Sequence, residues 1–464
     1  MKTKTIYYLA SVLLFVVLFY HQNIGLNVSL LTMALLTTSY YVQAQKGINR
    51  NYKFAFWGGI LGAFSFAYYG DFFSFMVLFC SLHWVAMLMF DPNQKLVKLF
   101  VLAPLNYLMS LPNILESKPK IPPKNSQHLF KSVMAYVLIP LGITSLFVFV
   151  YISSSDVISD FLSTLSFTID IQLSHILWLV CLGSVFMYFF WYFKLPKKWQ
   201  IVNTSLNDDY ATTSFVPTYT FDMARKSAEI TFVMLNSSLF IFIIIYGIEN
   251  LFTTEEINSI SSNLHKRIYA VILSILMAIS LILYFFRGAF NFDKQNAQLK
   301  RFIFIWIGLN SLLVFIALAK NIEYVYMLGL TEKRLGVFLF LILSWIGLYL
   351  TFKKVRVRKT NWFLINRMTT ITFATFVLIS LLNWGWIITK FNIETGIDIE
   401  SDLSYYTYNL SGNDVVLYDY FKSKNKQEEI ALLKMKYTYN EGKINLSGKL
   451  QSIYTKYILE KREN

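Results

Sequence analysis

The sequence predicts an all-α, polytopic membrane protein of about eleven transmembrane helices with a small extracytoplasmic C-terminal tail. Three observations carry that prediction. Charged residues make up only 15% of the chain while 55% are hydrophobic and 18% aromatic, against roughly 25% charged in soluble domains. Apolar runs of roughly membrane-spanning length recur from Ile6 to Trp386. The runs are continuous and do not alternate, which selects helices over a barrel where the backbone must satisfy its own hydrogen bonds.

Taken in order, the first span is Ile6–Tyr20, behind the basic start Met1-Lys2-Thr3-Lys4-Thr5. Phe19-Tyr20-His21-Gln22 offers no small-residue cleavage site, so the segment reads as an uncleaved span and not a secretory signal. Further spans follow at Ile24–Val42, Phe54–Tyr69, Phe72–Phe90, Val133–Ile152, Leu173–Tyr192, Ala228–Tyr246, Ile268–Phe286, Phe302–Leu318, Leu335–Phe352 and Thr370–Thr389. Leu96–Leu115 is apolar but interrupted by Lys98, Pro104, Asn106 and Pro112. It reads as an interfacial or partly buried helix, with a re-entrant piece as the alternative. The Lys- and Pro-rich stretch Glu116–Asn125 reads as an exposed linker. Ser153–Ile171 carries Asp156, Asp160 and Asp170 and no basic residue. Thr253-Thr254-Glu255-Glu256 reads as a helix start, a Thr cap followed by acids in the first turn.

Loop charge tests this threading. Alternate segments beginning with the N-terminus hold 26 Lys and Arg, the intervening loops only 5. Cationic segments resist translocation, so the N-terminus is expected in the cytoplasm and the tail outside it. The formal net charge of +15 is then explained by cytoplasmic loops, and no nucleic-acid partner is expected because neither a zinc-finger spacing nor a basic face interleaved with stacking aromatics is visible. Cys80 and Cys181 both lie in apolar runs, which excludes a disulfide framework. The division expected is a transmembrane domain over 1–390 and a tail over 391–464. In the tail, Asn425–Lys436 and Gly448–Lys461 read as helices, and Tyr437–Ser447 alternates around Asn440-Glu441-Gly442 as a hairpin would.

The sharpest local feature is Gly329-Leu330-Thr331-Glu332-Lys333-Arg334. Thr331 is placed to cap a helix, Glu332 suits its positive end, and Gly329 supplies backbone freedom for the turn. Arg334 opposes the dipole of the helix it begins, so it is expected to take a carboxylate: Glu323 first, Asp398 or Asp402 next. Glu229 has Arg225 four residues before it, a spacing that allows an i,i+4 pair near the interface; as an acid near a span it is also a candidate cation or proton site. His83 falls near the middle of its span and is either a proton relay or a neutral imidazole bonded to a neighbour. Asn236, Asn310 and Asn383 read as interhelical glue more than ligands, and Gly58 with Gly62 permits close helix approach.

Several of these stretches carry a resemblance. Gly-Leu-Thr-x-x-Arg-Leu at Gly329–Leu335, Phe-Asp-Met-Ala-Arg-Lys-Ser-Ala-Glu-Ile-Thr-Phe from Phe221, Lys-Thr-Asn-Trp-Phe-Leu-Ile-Asn-Arg from Lys359 and Asn-Trp-Gly-Trp-Ile-Ile-Thr-Lys-Phe-Asn from Asn383 resemble a bacterial family of polytopic membrane proteins without assigned biochemistry. The likeness covers roughly residues 221–421 and implies an architecture and a multi-pass place in the bacterial cytoplasmic (inner) membrane, with no catalytic residue to carry over. Some relatives bear a label as carotene-cleaving oxygenases; the five histidines here make no clustered ligand spacing, so that label is set aside and no metal or other cofactor is expected. Phosphate-loop, His-Glu-x-x-His and Gly-x-Ser-x-Gly motifs are missing from the sequence, which argues against a hydrolase or nucleotide-driven pump. Beyond the lipid bilayer, the expected partners split two ways. One reading is a carrier or permease for a small or lipidic solute; the other is a non-catalytic scaffold or sensor with a protein-binding exterior face.

Overall fold

The computed structural model describes residues 2–45, 47–100, 102–104, 106, 173–193, 206–210, 219–252, 275–286, 292, 295–438 and 449–461. Every element among them is helical and no strand occurs. The helices are α1 Lys2–Phe19, α2 Leu26–Ala44, α3 Arg50–Tyr69, α4 Phe72–Phe90, α5 Leu173–Trp191, α6 Tyr219–Phe252, α7 Ile275–Phe285, α8 Ala297–Leu328, α9 Glu332–Val357, α10 Asn361–Ser380, α11 Trp384–Glu394, α12 Asp414–Ser423, α13 Gln427–Thr438 and α14 Leu450–Lys461. Six of the described helices, namely α4, α5, the Arg225–Ile245 part of α6, α8, α9 and α10, are long and apolar enough to cross a membrane. The expected Val133–Ile152 span, Glu116–Asn125 linker, acidic Ser153–Ile171 stretch and Thr253 helix start lie outside the described residues, as do most of the expected hairpin and the end of Leu96–Leu115; the described part of the last is helical from Leu96.

The chain divides into two compact units. The first comprises 1–200, 379–381 and 442–453. In it α1 packs along α5, and α2, α3 and α4 pack on one another. Gly62 lets α4 close onto α3: a Cβ there would stand 2.7 Å from Val77 Cγ1. α1 and α5 run antiparallel, with Tyr7 stacked on Trp191 at 5.5 Å, Trp191 Nε1 donating to Ser11 Oγ at 3.0 Å, and Phe15 against Gly183.

The second unit comprises 201–378, 382–441 and 454–464. Its main core joins α6, α7, α8 and α9 through Phe232, Ile282, Leu299, Ile303, Leu313 and Leu348. A second core fuses the ends of α8 and α9 with α11 and the tail, through Val325, Leu330, Ile388, Tyr406, Leu417, Phe421 and Leu433. The tail is therefore packed against helix ends and shares their core.

Two expected boundaries move. α8 has 32 residues, about 48 Å of helix against a hydrocarbon core of about 30 Å. It continues through 319–328, which hydropathy alone leaves as loop, because no Gly or Pro interrupts Ala319–Leu328. The last expected span, Thr370–Thr389, is instead two helices broken at 381–383: α10 ends at Ser380 and α11 starts after Asn383, whose Oδ1 accepts from Trp386 N at 3.0 Å.

Candidate functional site

The turn between α8 and α9 is the focus of the second unit. Gly329 closes α8 with φ 83, a left-handed angle that favours glycine. A Cβ there would also lie 3.0 Å from Asn392 Oδ1. Thr331 caps α9 as expected, its side chain accepting from Arg334 N at 3.4 Å. Asn392, on the end of α11 and 1% exposed, brackets Leu330. Its Oδ1 accepts from Leu330 N at 2.6 Å and its Nδ2 donates to Leu330 O at 2.9 Å. The same Nδ2 donates to Tyr406 Oη at 2.7 Å.

Tyr405 and Tyr406 come from a turn of π-helix, Tyr405–Asn409, closed by Leu410 N onto Tyr405 O at 3.1 Å. Such turns are rare and concentrate at functional sites. Glu332 N donates to Tyr405 Oη at 3.1 Å, so Tyr405 helps satisfy the first turn of α9. Burial pushes both phenols above their usual pKa. Asn413, fully buried, donates to Thr389 Oγ1 at 2.9 Å and to Tyr406 O at 2.8 Å. Gly385 completes the contact: a Cβ would stand 2.1 Å from Ser411 O, so only glycine lets the tail backbone lie on α11. Asn383 reaches the same stretch of tail, donating to Gly412 O at 2.9 Å.

Arg334 departs from the expectation. Its Nη1 donates to Leu328 O at 2.9 Å and also to Gly329 O. The partner is the carbonyl end of α8, where a helix dipole favours a cation, and not Glu323. Because α8 continues through residue 323, Glu323 stands on its side and pairs with Lys320 at 3.0 Å. Asp398 Oδ1 accepts from Glu400 N at 3.0 Å, and Asp402 Oδ1 accepts from Ser404 Oγ at 3.3 Å.

The remaining predicted residues lie apart from this turn. Arg225 pairs with Asp222 at 3.0 Å, in place of the expected Glu229; the two lie one turn apart on the same face of α6. Asn236 is interhelical, donating from α6 to Phe302 O at 3.0 Å. Asn310 is not: fully buried, it donates to Trp306 O of its own helix at 2.8 Å and leaves Oδ1 without a partner among the described residues. In the first unit His83 is 3% exposed. Its Nδ1 lies 2.7 Å from Phe79 O, and its ring packs on Phe79 and Phe189 at 3.9 and 4.8 Å.

Sequence reasoning missed a second polar cluster, at the opposite end of α9. Lys354, fully buried, donates from Nζ to Phe286 O at 2.9 Å, and Asn361 Nδ2 donates to Leu283 O at 3.0 Å. Both satisfy the carbonyl end of α7. Beside them Asn366 Nδ2 donates to Asp208 Oδ1 at 2.8 Å, Thr360 N to Asp208 O at 3.0 Å, and Lys359 pairs with Asp209. Lys354 reads in sequence as one more basic loop residue; no local signal marks it as buried.

The chain is thus a multi-pass membrane protein whose buried polar contacts tie segments distant in sequence. Set against known proteins, residues 8–418 match the model of a domain of unknown function, DUF4153. No curated protein and no solved structure matches.

Proposed function

The chain belongs to the DUF4153 family, and we propose that it acts as a non-catalytic membrane scaffold or sensor, with the tail-bearing face of its second unit as the surface a protein partner reads. One observation carries this reading. Asn392, Tyr406 and Asn413 knit the α8–α9 turn, α11 and the tail into a single core. Within the Gly329–Arg334 stretch, the backbone of Leu330 and Glu332 N bond to Asn392 and Tyr405, and the Thr331 hydroxyl and Arg334 guanidinium bond within the turn. A platform so tied holds exposed side chains such as Tyr408, 76% exposed, in fixed geometry, and preorganisation of this kind lowers the entropic cost of binding.

The threading proposed with it is about eleven spans in a bacterial cytoplasmic membrane, N-terminus inside and 391–464 outside, supported by the 26-to-5 partition of basic residues. The carrier reading retains one supporting feature: a pocket of about 210 Å³ in the first unit, walled by Phe90, Phe190, Trp191 and Phe193 with Lys4 at its edge. Such a lining suits an acyl chain with an anionic head.

Photo-crosslinking in native membranes separates the two. With a benzophenone amino acid at Tyr408, one discrete protein adduct is expected, and none with the probe at Ile305 on the apolar flank of α8. Lipid-only adducts at both positions, together with saturable uptake of a fatty acid by reconstituted vesicles, would overturn the scaffold reading in favour of the carrier.

A further inference from the structure

The antiparallel register of α1 and α5 has a chemical result at their far end. Tyr7 meets Trp191, Phe15 meets Gly183, and the next step along brings His21 opposite His175. Their ring centroids lie 5.2 Å apart with 52° between the planes. His21 sits in the turn that ends α1, with φ 51, a left-handed conformation that is uncommon for a residue with a side chain. Tyr20 packs its ring on both imidazoles, at 4.2 Å from His21 and 5.8 Å from His175.

The separation matches a shared ion. A divalent metal binds imidazole nitrogen at about 2.0–2.1 Å, so a metal lies about 3.2 Å from each ring centroid, and two ligands at a tetrahedral angle then place their centroids about 5.2 Å apart. At an octahedral right angle the same arithmetic gives about 4.5 Å. Two further atoms of the turn are without partners among the described residues: Tyr20 Oη and Gln22 Oε1 are both buried and make no hydrogen bond there. Orphaned buried polar atoms are rare because each costs desolvation without return, and here two of them flank His21 in sequence. Among the described residues no third His, Cys, Asp or Glu joins the pair, and the donors they offer beside it are the oxygens of Tyr20 and Gln22.

We propose that His21 and His175 hold a divalent transition-metal ion of the zinc class, with the oxygens of the Tyr20–Gln22 turn or water filling its remaining positions. Imidazole ligands select such ions over magnesium or calcium, which require oxygen-only shells. The ion clamps the end of α1 to the start of α5, and the exposed edge of His21 gives it a route from solvent. This site lies in the first unit and does not rest on the partner-binding reading of the second.

The test uses the full chain, purified in detergent, stripped with chelator and dialysed against micromolar Zn2+ or Mg2+. About one equivalent of zinc and no magnesium is expected on the unmutated protein. His21→Ala and His175→Ala should each weaken zinc binding more than about tenfold, while His128→Ala leaves it unchanged. Since a variant can fail for folding reasons alone, Cu2+ is also added to the unmutated protein and its electron spin echo spectrum recorded, where two equivalent imidazole couplings are expected. Zinc binding absent from the unmutated protein, zinc binding undiminished in the His21 and His175 variants, or a copper spectrum without two imidazoles overturns the site.

Discussion

Asn392 binds both backbone groups of one residue: its side-chain amide takes the N–H of Leu330 at 2.6 Å and gives to the carbonyl of Leu330 at 2.9 Å, across 62 residues of sequence. The pairing copies one rung of a backbone ladder with a side chain. It joins the α8–α9 turn to the segment that leads into the tail, inside a core where water cannot replace it.

Asn392→Ala strands Leu330 N, Leu330 O and Tyr406 Oη, and each buried unsatisfied group costs about 1–3 kcal/mol. The variant is expected to unfold at a clearly lower temperature in detergent and to expose the tail to protease. Asn392→Asp should be no better, because it sets a carboxylate oxygen against the Leu330 carbonyl. Wild-type melting for both variants would show that the contact carries no stability.

Arg334→Leu removes charge-assisted bonds to the end of α8, a loss of about 1.5–3 kcal/mol. Glu323→Gln breaks only a half-exposed pair with Lys320 and should cost less than about 0.5 kcal/mol. The two changes are therefore additive in the double variant, read by monodisperse yield and thermal midpoint. Strong non-additivity would instead reveal coupling between residues 323 and 334.

Gly385→Ala drives a methyl group to 2.1 Å from Ser411 O, a backbone atom that cannot rotate away. The tail must lift or α11 must shift, a destabilisation at or above the roughly 1–3 kcal/mol of overpacking. Gly336→Ala on α9 meets nothing within 4 Å and should be neutral or stabilise by up to about 1 kcal/mol, the helix-propensity gain. Circular dichroism melts of the pair give the comparison.

The tail also carries a pH signature. Lys426 Nζ lies 2.6 Å from Glu400; the hydrogen bond from Lys426 holds the Glu400 carboxyl below its ordinary value, and the same bond holds Lys426 above its own. The Glu400 contribution is present above the ordinary carboxylate range and fades as pH falls through its depressed pKa. The Lys426 contribution is present below the ordinary lysine value and fades as pH rises through its elevated one. Protection of residues 398–430 against hydrogen exchange, taken relative to the intrinsic exchange rate at each pH, should be greatest at intermediate pH and smaller at both extremes. Lys426→Met should flatten the profile; a profile unaltered by that change removes the pair from the account.

What local composition controls is legible in the order of residues alone. Hydropathy decides the helical class, because burial in hydrocarbon leaves the backbone little choice. Thr331 is recognisable as a cap because a capping side chain acts within three residues of its own position; Asn383, read as interhelical glue within one span, instead caps α11 where the chain breaks at 381–383. The stretches Asn425–Lys436 and Gly448–Lys461, read as helices, correspond to the helices Gln427–Thr438 and Leu450–Lys461. The partner of Arg334 is not: a carbonyl is carried by every residue, so no letter in the sequence marks Leu328 or Gly329 as its acceptor. Asn392, Tyr406 and Asn413 look like ordinary polar residues of an outer tail until the fold buries them together. The same holds for Lys354, hidden among basic loop residues, and for His21 and His175, matched only by the antiparallel register of α1 and α5. Sequence alone determined which segments are apolar and helical; tertiary packing decided which polar atoms meet, because hydrogen bonds depend on distance in space and hydropathy only on order along the chain.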